Sequence, residues 1–243
     1  MRISEIFVSV QGEGLDVGKL IAFVRTTGCN LACEWCDTQY ASRPGSEFEV
    51  FTPKEIMKKV NDFGVRALSI TGGEPLLQKE ELIKLCELAQ SNSYFIDIQT
   101  NGTLYEPVLA SLVNRFSVSP KLKSSGNHFA KRFIKQVWFR YIEQHKKYQN
   151  VSFKFVIQNK DDRDEALDLL SKFPVIKNIN LPIILQPEID VVKSGSLGFQ
   201  VKALRKLIEF NVMNDKNRKD WQGYNLFIIP QIHKFCWGNK RQV

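Results

Sequence analysis

Short apolar runs rich in β-branched and aromatic residues recur along the chain, at Ile3–Val10, Leu20–Thr26, Ala67–Thr71, Tyr94–Thr100, Phe116–Ser119, Ser152–Gln158, Pro182–Leu185 and Asn225–Ile229. This is the pattern of strands buried in a parallel sheet. Helical patterns fall between many of them. Thr52-Pro-Lys-Glu55 is a capping box with proline at the first helical position, and Gly64 marks the end of that helix. Gln78–Gln90 carries Leu82, Ile83, Leu85 and Leu88 on a helical stripe. Asp161–Phe173 opens with acids and continues with Ala166, Leu167, Leu169 and Leu170, and Leu197–Phe210 repeats Val201, Leu204, Leu207 and Ile208 at helical spacing. Alternating strand and helix predicts an α/β fold with a mainly parallel sheet. From Leu20 onward about six strands alternate with helices, too few for a closed eight-fold barrel. The expected architecture is a partial, open (β/α)6-like barrel of the TIM type, with an extra N-terminal strand, in a single domain over residues 1–243.

Two segments depart from that alternation. Phe129–Tyr148 mixes Lys131, Arg132, Lys135, Arg140, Lys146 and Lys147 with Phe133, Trp138, Phe139 and Tyr141. It reads either as an RNA-contacting surface or as an amphipathic helix. Phe133, Val137 and Tyr141, flanked by Ile134 and Trp138, share one stripe and favour the helix. Asn211–Gly223 is polar and is predicted to be a surface loop.

Composition adds limits. The 243 residues are 43% apolar, enough for one sizeable core. No apolar run is long enough to span a bilayer. The start, Met1-Arg-Ile-Ser-Glu5, has no apolar signal core, so the chain is expected in the cytoplasm. The net charge of +8 attracts anions but is small for this length, so nucleic acid is not the expected partner. An odd count of five cysteines argues against a disulfide framework and for metal chemistry in a reducing compartment.

Three of those cysteines lie in Cys29-Asn-Leu-Ala-Cys33-Glu-Trp-Cys36. Gly28 separates them from the strand Leu20–Thr26, so they occupy a loop that can wrap thiolates around a compact group. Thiolates suit iron–sulfur clusters or zinc. Three local ligands leave one coordination position open, as reactive centres do, whereas structural zinc takes four protein ligands. His128, His145 or His233 could complete a zinc site, and three small core residues are a further alternative. Cys86 and Cys236 read as packing residues.

The carboxyl ends of several predicted strands carry polar punctuation: Thr71-Gly-Gly-Glu-Pro75, Thr100-Asn-Gly102, Ser119-Pro-Lys121 and Gln186-Pro-Glu188. In α/β folds these ends converge on the ligand-binding face. The cysteine loop leaves the same end of its own strand, so one pocket is expected to gather all five. Gly72 and Gly73 would let a ligand approach the backbone.

The cysteine spacing followed by Gly-Gly-Glu-Pro resembles the radical S-adenosylmethionine (SAM) superfamily. Val10-Gln-Gly-Glu-Gly14, Phe23-Val-Arg25, Trp35-Cys-Asp-Thr38, Ser119-Pro-Lys121, Pro230-Gln-Ile-His-Lys234 and Trp237-Gly-Asn-Lys-Arg241 narrow the resemblance to the 7-carboxy-7-deazaguanine synthases. These lyases convert 6-carboxy-5,6,7,8-tetrahydropterin to 7-carboxy-7-deazaguanine and release ammonia, on the way to queuosine in tRNA. The resemblance implies that Cys29, Cys33 and Cys36 are the catalytic cluster ligands, holding a 4Fe–4S cluster whose open iron binds SAM. It implies SAM contacts from Trp35, Cys36, Asp37, Gly73, Glu74, Ser119, Pro120, Lys121 and Gln186, with Glu74 opposite the SAM ammonium. It places substrate on Val10, Gln11, Gly12, Arg25 and Thr71, and Mg²⁺ on Thr38. It further implies a reductant such as flavodoxin and a homodimer. Gln99 stands where many members have glutamate, with Asp97 on the same strand face, and the chain ends in Val243 where some members end in proline. The rivals are another radical SAM enzyme, such as a glycyl-radical activase, and a zinc-bearing RNA-binding module.

Overall fold

The computed structural model describes residues 1–188, 197–238 and 240–242. Its strands are β1 (Arg2–Val10), β2 (Leu20–Thr26), β3 (Glu49–Val50), β4 (Ala67–Gly72), β5 (Phe95–Thr100), β6 (Arg115–Val118), β7 (Val151–Ile157), β8 (Pro182–Pro187) and β9 (Asn225–Ile228). Among the described residues they form one sheet in the order β3-β1-β2-β4-β5-β6-β7-β8-β9. β1 runs antiparallel to both β2 and β3. From β2 onward every neighbour is parallel. The parallel run thus holds seven strands, one more than the roughly six-fold alternation expected. The sheet stays open, with β3 and β9 at its two ends.

The helices form for the reasons their sequences gave. Thr52 Oγ1 accepts from Glu55 N (3.3 Å) and Glu55 Oε2 accepts from Thr52 N (2.7 Å), which closes the capping box of helix Pro53–Asp62. Gly64, at φ +69°, then turns the chain toward β4. Helix Lys79–Ser91 buries Leu82, Leu85 and Cys86 against the sheet, following a 3-10 turn over Pro75–Gln78. Helix Lys160–Ser171 is capped by Asn159, whose side chain accepts from Asp162 N. The main core runs along the parallel strands, with Ile70, Ile98, Phe116, Phe153 and Ile183 all essentially inaccessible.

Two expectations need correction. The segment after Phe129 is two helices, Phe129–Arg132 and Lys135–Tyr148, with Phe133 at the break between them. The amphipathic reading holds: Trp138 and Tyr141 are fully buried, and Trp138 stacks on Phe173 at 5.8 Å. Asn211–Gly223 lies largely at the surface but is no loop. A π-helical turn, Glu209–Met213, leads into helix Asp215–Asp220. Asn211 is buried there, because its side chain accepts from Trp221 Nε1 (3.0 Å) and Arg163 Nε (3.3 Å) and donates to Leu207 O (2.9 Å). A polar side chain with that many internal partners is a structural joint. Asn239 and Val243 lie outside the described residues.

Candidate active site

The carboxyl ends of β2, β4, β5, β6 and β8 open onto one cleft, and the cysteine loop forms part of its wall. Each sulfur meets a different set of polar groups. Cys29 Sγ accepts from Leu31 N at 3.4 Å and faces Asn101 Nδ2 at 3.8 Å. Cys33 Sγ accepts from Asn127 Nδ2 at 3.3 Å. Cys36 Sγ lies 3.6 Å from Thr38 Oγ1 and 3.5 Å from Ser42 Oγ. Burial pushes the Cys29 and Cys33 thiols up, with Lys121 pulling against it. Such thiols become good ligands once a metal displaces their protons. Cys86 is buried in the core, away from the cleft, while Cys236 is exposed on helix Ile232–Trp237.

Of the three histidines, two lie away from the cleft. His145 is buried on helix Lys135–Tyr148, where Nδ1 accepts from Val151 N at 3.2 Å. His128 is exposed and does not line the cleft. His233 does line it, in company with Glu13 and Asp37: the three offer ligand atoms within 4.8 Å of one another. Those acids already have cations. Glu13 pairs with Lys154 and accepts from Gln231 Nε2 (2.6 Å), and Asp37 lies 3.5 Å from Lys234. Burial opposes the Glu13 charge, but Lys154 holds its carboxyl far below the usual range. This network ties the C-terminal helix to the loop after β1. Gly12 makes the approach possible, since a Cβ there would sit 2.2 Å from His233 Nδ1.

The cleft lining includes Trp35, Cys36, Asp37, Gly73, Ser119, Lys121 and Gln186 of the expected SAM set. Lys121 Nζ donates to Ser119 Oγ (2.8 Å) and sits 5.4 Å from the Trp35 ring centre. Arg132 holds this loop, donating to Lys121 O and Asn127 O at 3.1 Å each and pairing with Glu165 at 2.7 Å. Arg132 is therefore an internal staple and no phosphate contact. Gln186 Oε1 and Trp35 Nε1 are buried without a hydrogen-bond partner among the described residues. Orphaned groups of this kind cost about 1–3 kcal/mol each unless something fills the site. Pro120 is buried outside the lining.

Glu74 differs from expectation. Its side chain is fully buried and accepts from Asn101 N (2.7 Å), Thr100 Oγ1 (2.9 Å) and Leu76 N (3.1 Å). With both oxygens committed inward, it joins the ends of β4 and β5 and does not face a ligand's ammonium. Gly72 and Gly73 line the cleft and also admit a close backbone approach. A Cβ on Gly73 would meet Gly28 O at 2.0 Å, and one on Gly72 would meet Thr26 O at 2.1 Å. The backbone they admit is the chain's own, at the root of the cysteine loop.

The cleft lining also includes Val10, Gln11, Gly12, Arg25, Thr71 and Gln99. Asp97 lies behind it, only 1% exposed, and its partners are neutral: Ser69 Oγ (2.7 Å), Ser117 Oγ (3.0 Å) and Gln11 Nε2 (3.3 Å). Burial raises the Asp97 carboxyl to about 6, against the pull of the two serines. Gln99 Nε2 donates to Ser69 Oγ at 3.3 Å and so joins the same network. Sequence reasoning had no partner for Asp97, because both serines come from neighbouring strands.

A family model described as the radical SAM superfamily matches residues 23–181. The chain belongs to that superfamily, whose members use a 4Fe–4S cluster and SAM. A 7-carboxy-7-deazaguanine synthase of Clostridium acetobutylicum is 30% identical over 246 residues, covering 100% of this chain and 99% of that one. One of Bacillus subtilis is 30% identical over 247 residues, covering 99% and 98%. The crystal structure of QueE from Escherichia coli superposes with a TM-score of 0.67 at 22% identity, over 93% of this chain and 92% of that one, and supports the fold. Within the superfamily, the chain belongs to the 7-carboxy-7-deazaguanine synthases.

Proposed function

We propose that this chain converts 6-carboxy-5,6,7,8-tetrahydropterin to 7-carboxy-7-deazaguanine with release of ammonia. The observation that carries the reading is the meeting of three clustered cysteines and an arginine in the lining of one cleft. Cys29, Cys33 and Cys36 would hold the 4Fe–4S cluster, their sulfurs supported by Asn101, Asn127, Thr38 and Ser42. When bound, that cluster supplies the electron that cleaves SAM reductively. The orphaned Gln186 Oε1 and Trp35 Nε1 fit a polar ligand beside the cysteines, and Ser119 and Lys121 extend that wall. Gln11 and Thr71 would orient the pterin ring, and Arg25 its carboxylate. The test is anaerobic turnover of the reconstituted protein with the tetrahydropterin, read by mass. Deoxyadenosine without the deazaguanine product would leave a radical SAM enzyme of another substrate.

Arg25 is 15% exposed, and its guanidinium suits a carboxylate better than a lysine ammonium does. Arg25→Lys is expected to weaken binding of the carboxylated pterin by about 1.5–3 kcal/mol, the scale of a hydrogen bond to a charged group. A pterin without the carboxylate should bind both proteins alike. Equal loss for the two ligands in anaerobic titrations would remove Arg25 from that role.

Magnesium is proposed at Thr38, which lines the cleft directly after Asp37. A site with one protein oxygen plus ligand and water oxygens matches the habits of this ion. Thr38→Ala should shift the magnesium dependence of turnover and leave iron content unchanged. An unaltered magnesium titration would exclude the site.

The proposal extends to a single domain over residues 1–243, supported by the one continuous sheet. It includes a one-electron donor such as flavodoxin, which a net charge of +8 would attract if the donor is acidic. It also includes a homodimer and a cytoplasmic location. A reducing compartment suits free thiols, and among the described residues no helix is long and apolar enough to cross a membrane.

A further inference from the structure

Beyond a bulge after Ile3, β1 alternates, and its buried positions there are Glu5, Phe7 and Ser9. Glu5 is thus a carboxylate in an inward row, only 5% exposed. A lone charge there would be strongly destabilising. Three donors answer it. Arg25, directly opposite on β2, donates Nε to Oε1 at 2.6 Å. The Tyr40 hydroxyl donates to the same oxygen at 2.7 Å. Arg241 Nη2 donates to Oε2 at 3.3 Å, with its guanidinium 3.9 Å from the Tyr40 ring centre. One carboxylate therefore joins β2, the short helix Gln39–Ser42 after the cysteine loop, and the C-terminal segment. Burial opposes its charge, yet the Tyr40 and Arg25 contacts hold the Glu5 carboxyl below its ordinary range. Burial also pushes the Tyr40 hydroxyl up to about 12, so Tyr40 remains a donor at neutral pH.

Arg25, Tyr40 and Arg241 line the cleft, and Glu5 does not. The hydrogen bond of Arg25 within the described residues uses Nε alone. A guanidinium is a rigid fork, so anchoring its Nε fixes where the two terminal nitrogens point. Phe7 limits the other side, 5.8 Å from the Arg25 guanidinium carbon.

We propose that Glu5 is a positioning residue for substrate choice: it clamps Arg25 by Nε so that the terminal edge of the guanidinium receives the pterin carboxylate. This rests on the reading of Arg25 given above. The sign of the effect separates the idea from simple electrostatics. As a mere negative charge near an anion site, Glu5 would oppose binding, and its removal would strengthen it. As a clamp, it favours binding, because the arginine loses no freedom when the ligand arrives.

The test uses Glu5→Asp, which keeps the charge but is one methylene short, and Glu5→Gln, which keeps the length and loses the charge. Both are titrated anaerobically with the carboxylated pterin and with the same pterin lacking the carboxylate, alongside SAM binding and thermal melts. Each variant should bind the carboxylated pterin about tenfold more weakly, the scale of one charge-assisted hydrogen bond. The uncarboxylated pterin and SAM should bind as before. In an Arg25→Ala background, Glu5→Asp should add no further selective loss. Tighter binding in Glu5→Gln with none lost in Glu5→Asp would mean a charge effect only, and would overturn the proposal. Equal weakening of both pterins would make the role structural and overturn it too, as would no change. Should either variant melt early, Tyr40→Phe removes a donor to Glu5 and should give a smaller loss of the same selectivity, whose absence counts against the clamp. If Arg25→Ala itself fails to discriminate the two pterins, the reading of Arg25 falls and this inference with it. If Arg25→Ala discriminates and the Glu5 variants do not, only the positioning role is lost.

Discussion

Cys33→Ala is expected to abolish both iron retention and SAM cleavage, while Cys86→Ala should leave both at the parent level. The two residues are equally apolar by composition and are both buried, so burial does not separate them. Their surroundings do. Cys33 lies on the cleft wall, receives the Asn127 amide at 3.3 Å, and has its own carbonyl fixed by Arg43 Nη2 at 2.8 Å. Cys86 sits within helix Lys79–Ser91, packed into the main apolar core with no access to the cleft. Burial pushes its thiol up, which suits a neutral packing group. With three cysteines holding the cluster, losing one leaves two iron atoms without a protein ligand. Anaerobic reconstitution, followed by iron content and deoxyadenosine formation, checks the contrast. A Cys33→Ala protein that cleaves SAM at the parent rate would falsify the ligand assignment. Cys86→Ala should cost stability only, on the order of 1 kcal/mol for a small core truncation.

The strands were legible because their apolar runs are local and bounded by turn residues; all eight expected runs appear in the sheet. β3 was missed, since Glu49–Val50 is two residues long and exposed, and only its pairing with Arg2 and Ile3 defines it. Asn211–Gly223 was misread as a loop because its exposed polar residues hide a helix that Asn211 anchors from within. Asn211 binds Arg163, which is far away in the chain, and no local rule reveals that.

At the site, the cysteine spacing and the polar strand ends pointed to the cleft that the structure contains. What stayed hidden were partnerships between distant positions. Glu74 looked available until Thr100 and Asn101 took both its oxygens. Glu5 did carry a signal, a charge at an inward position of an alternating strand, but its meaning depends on Arg25, Tyr40 and Arg241. The Glu13, Asp37 and His233 group draws on three stretches that only the folded chain brings together.

Gly73→Ala follows from the same kind of contact and is expected to be among the most damaging single-methyl changes in the chain. The added Cβ would lie 2.0 Å from Gly28 O and 2.4 Å from its carbonyl carbon. The obstacle is backbone, so no rotamer change relieves it. Nor can the two segments part easily, because Gly73 N donates to Thr26 O (3.1 Å) and Glu74 N donates to Gly28 O (2.8 Å). Something must shift, and the residue after Gly28 is Cys29. The Glu74 carboxylate would move too, and with it the Thr100–Asn101 turn it holds, so two walls of the cleft are disturbed together. Overpacking of this severity costs about 3 kcal/mol. For a domain of this size, that lowers the melting temperature by about 6–12 °C. Iron retention should fall with it, because the first cluster ligand is displaced. Gly45→Ala is the control: Gly45 also has a positive φ, +83°, but a Cβ there meets nothing within 4 Å. Its cost is backbone strain alone, about 1 kcal/mol, with iron content unchanged. If Gly73→Ala melts with the parent and keeps its iron, the close contact between the two strand ends does not hold the cysteine loop.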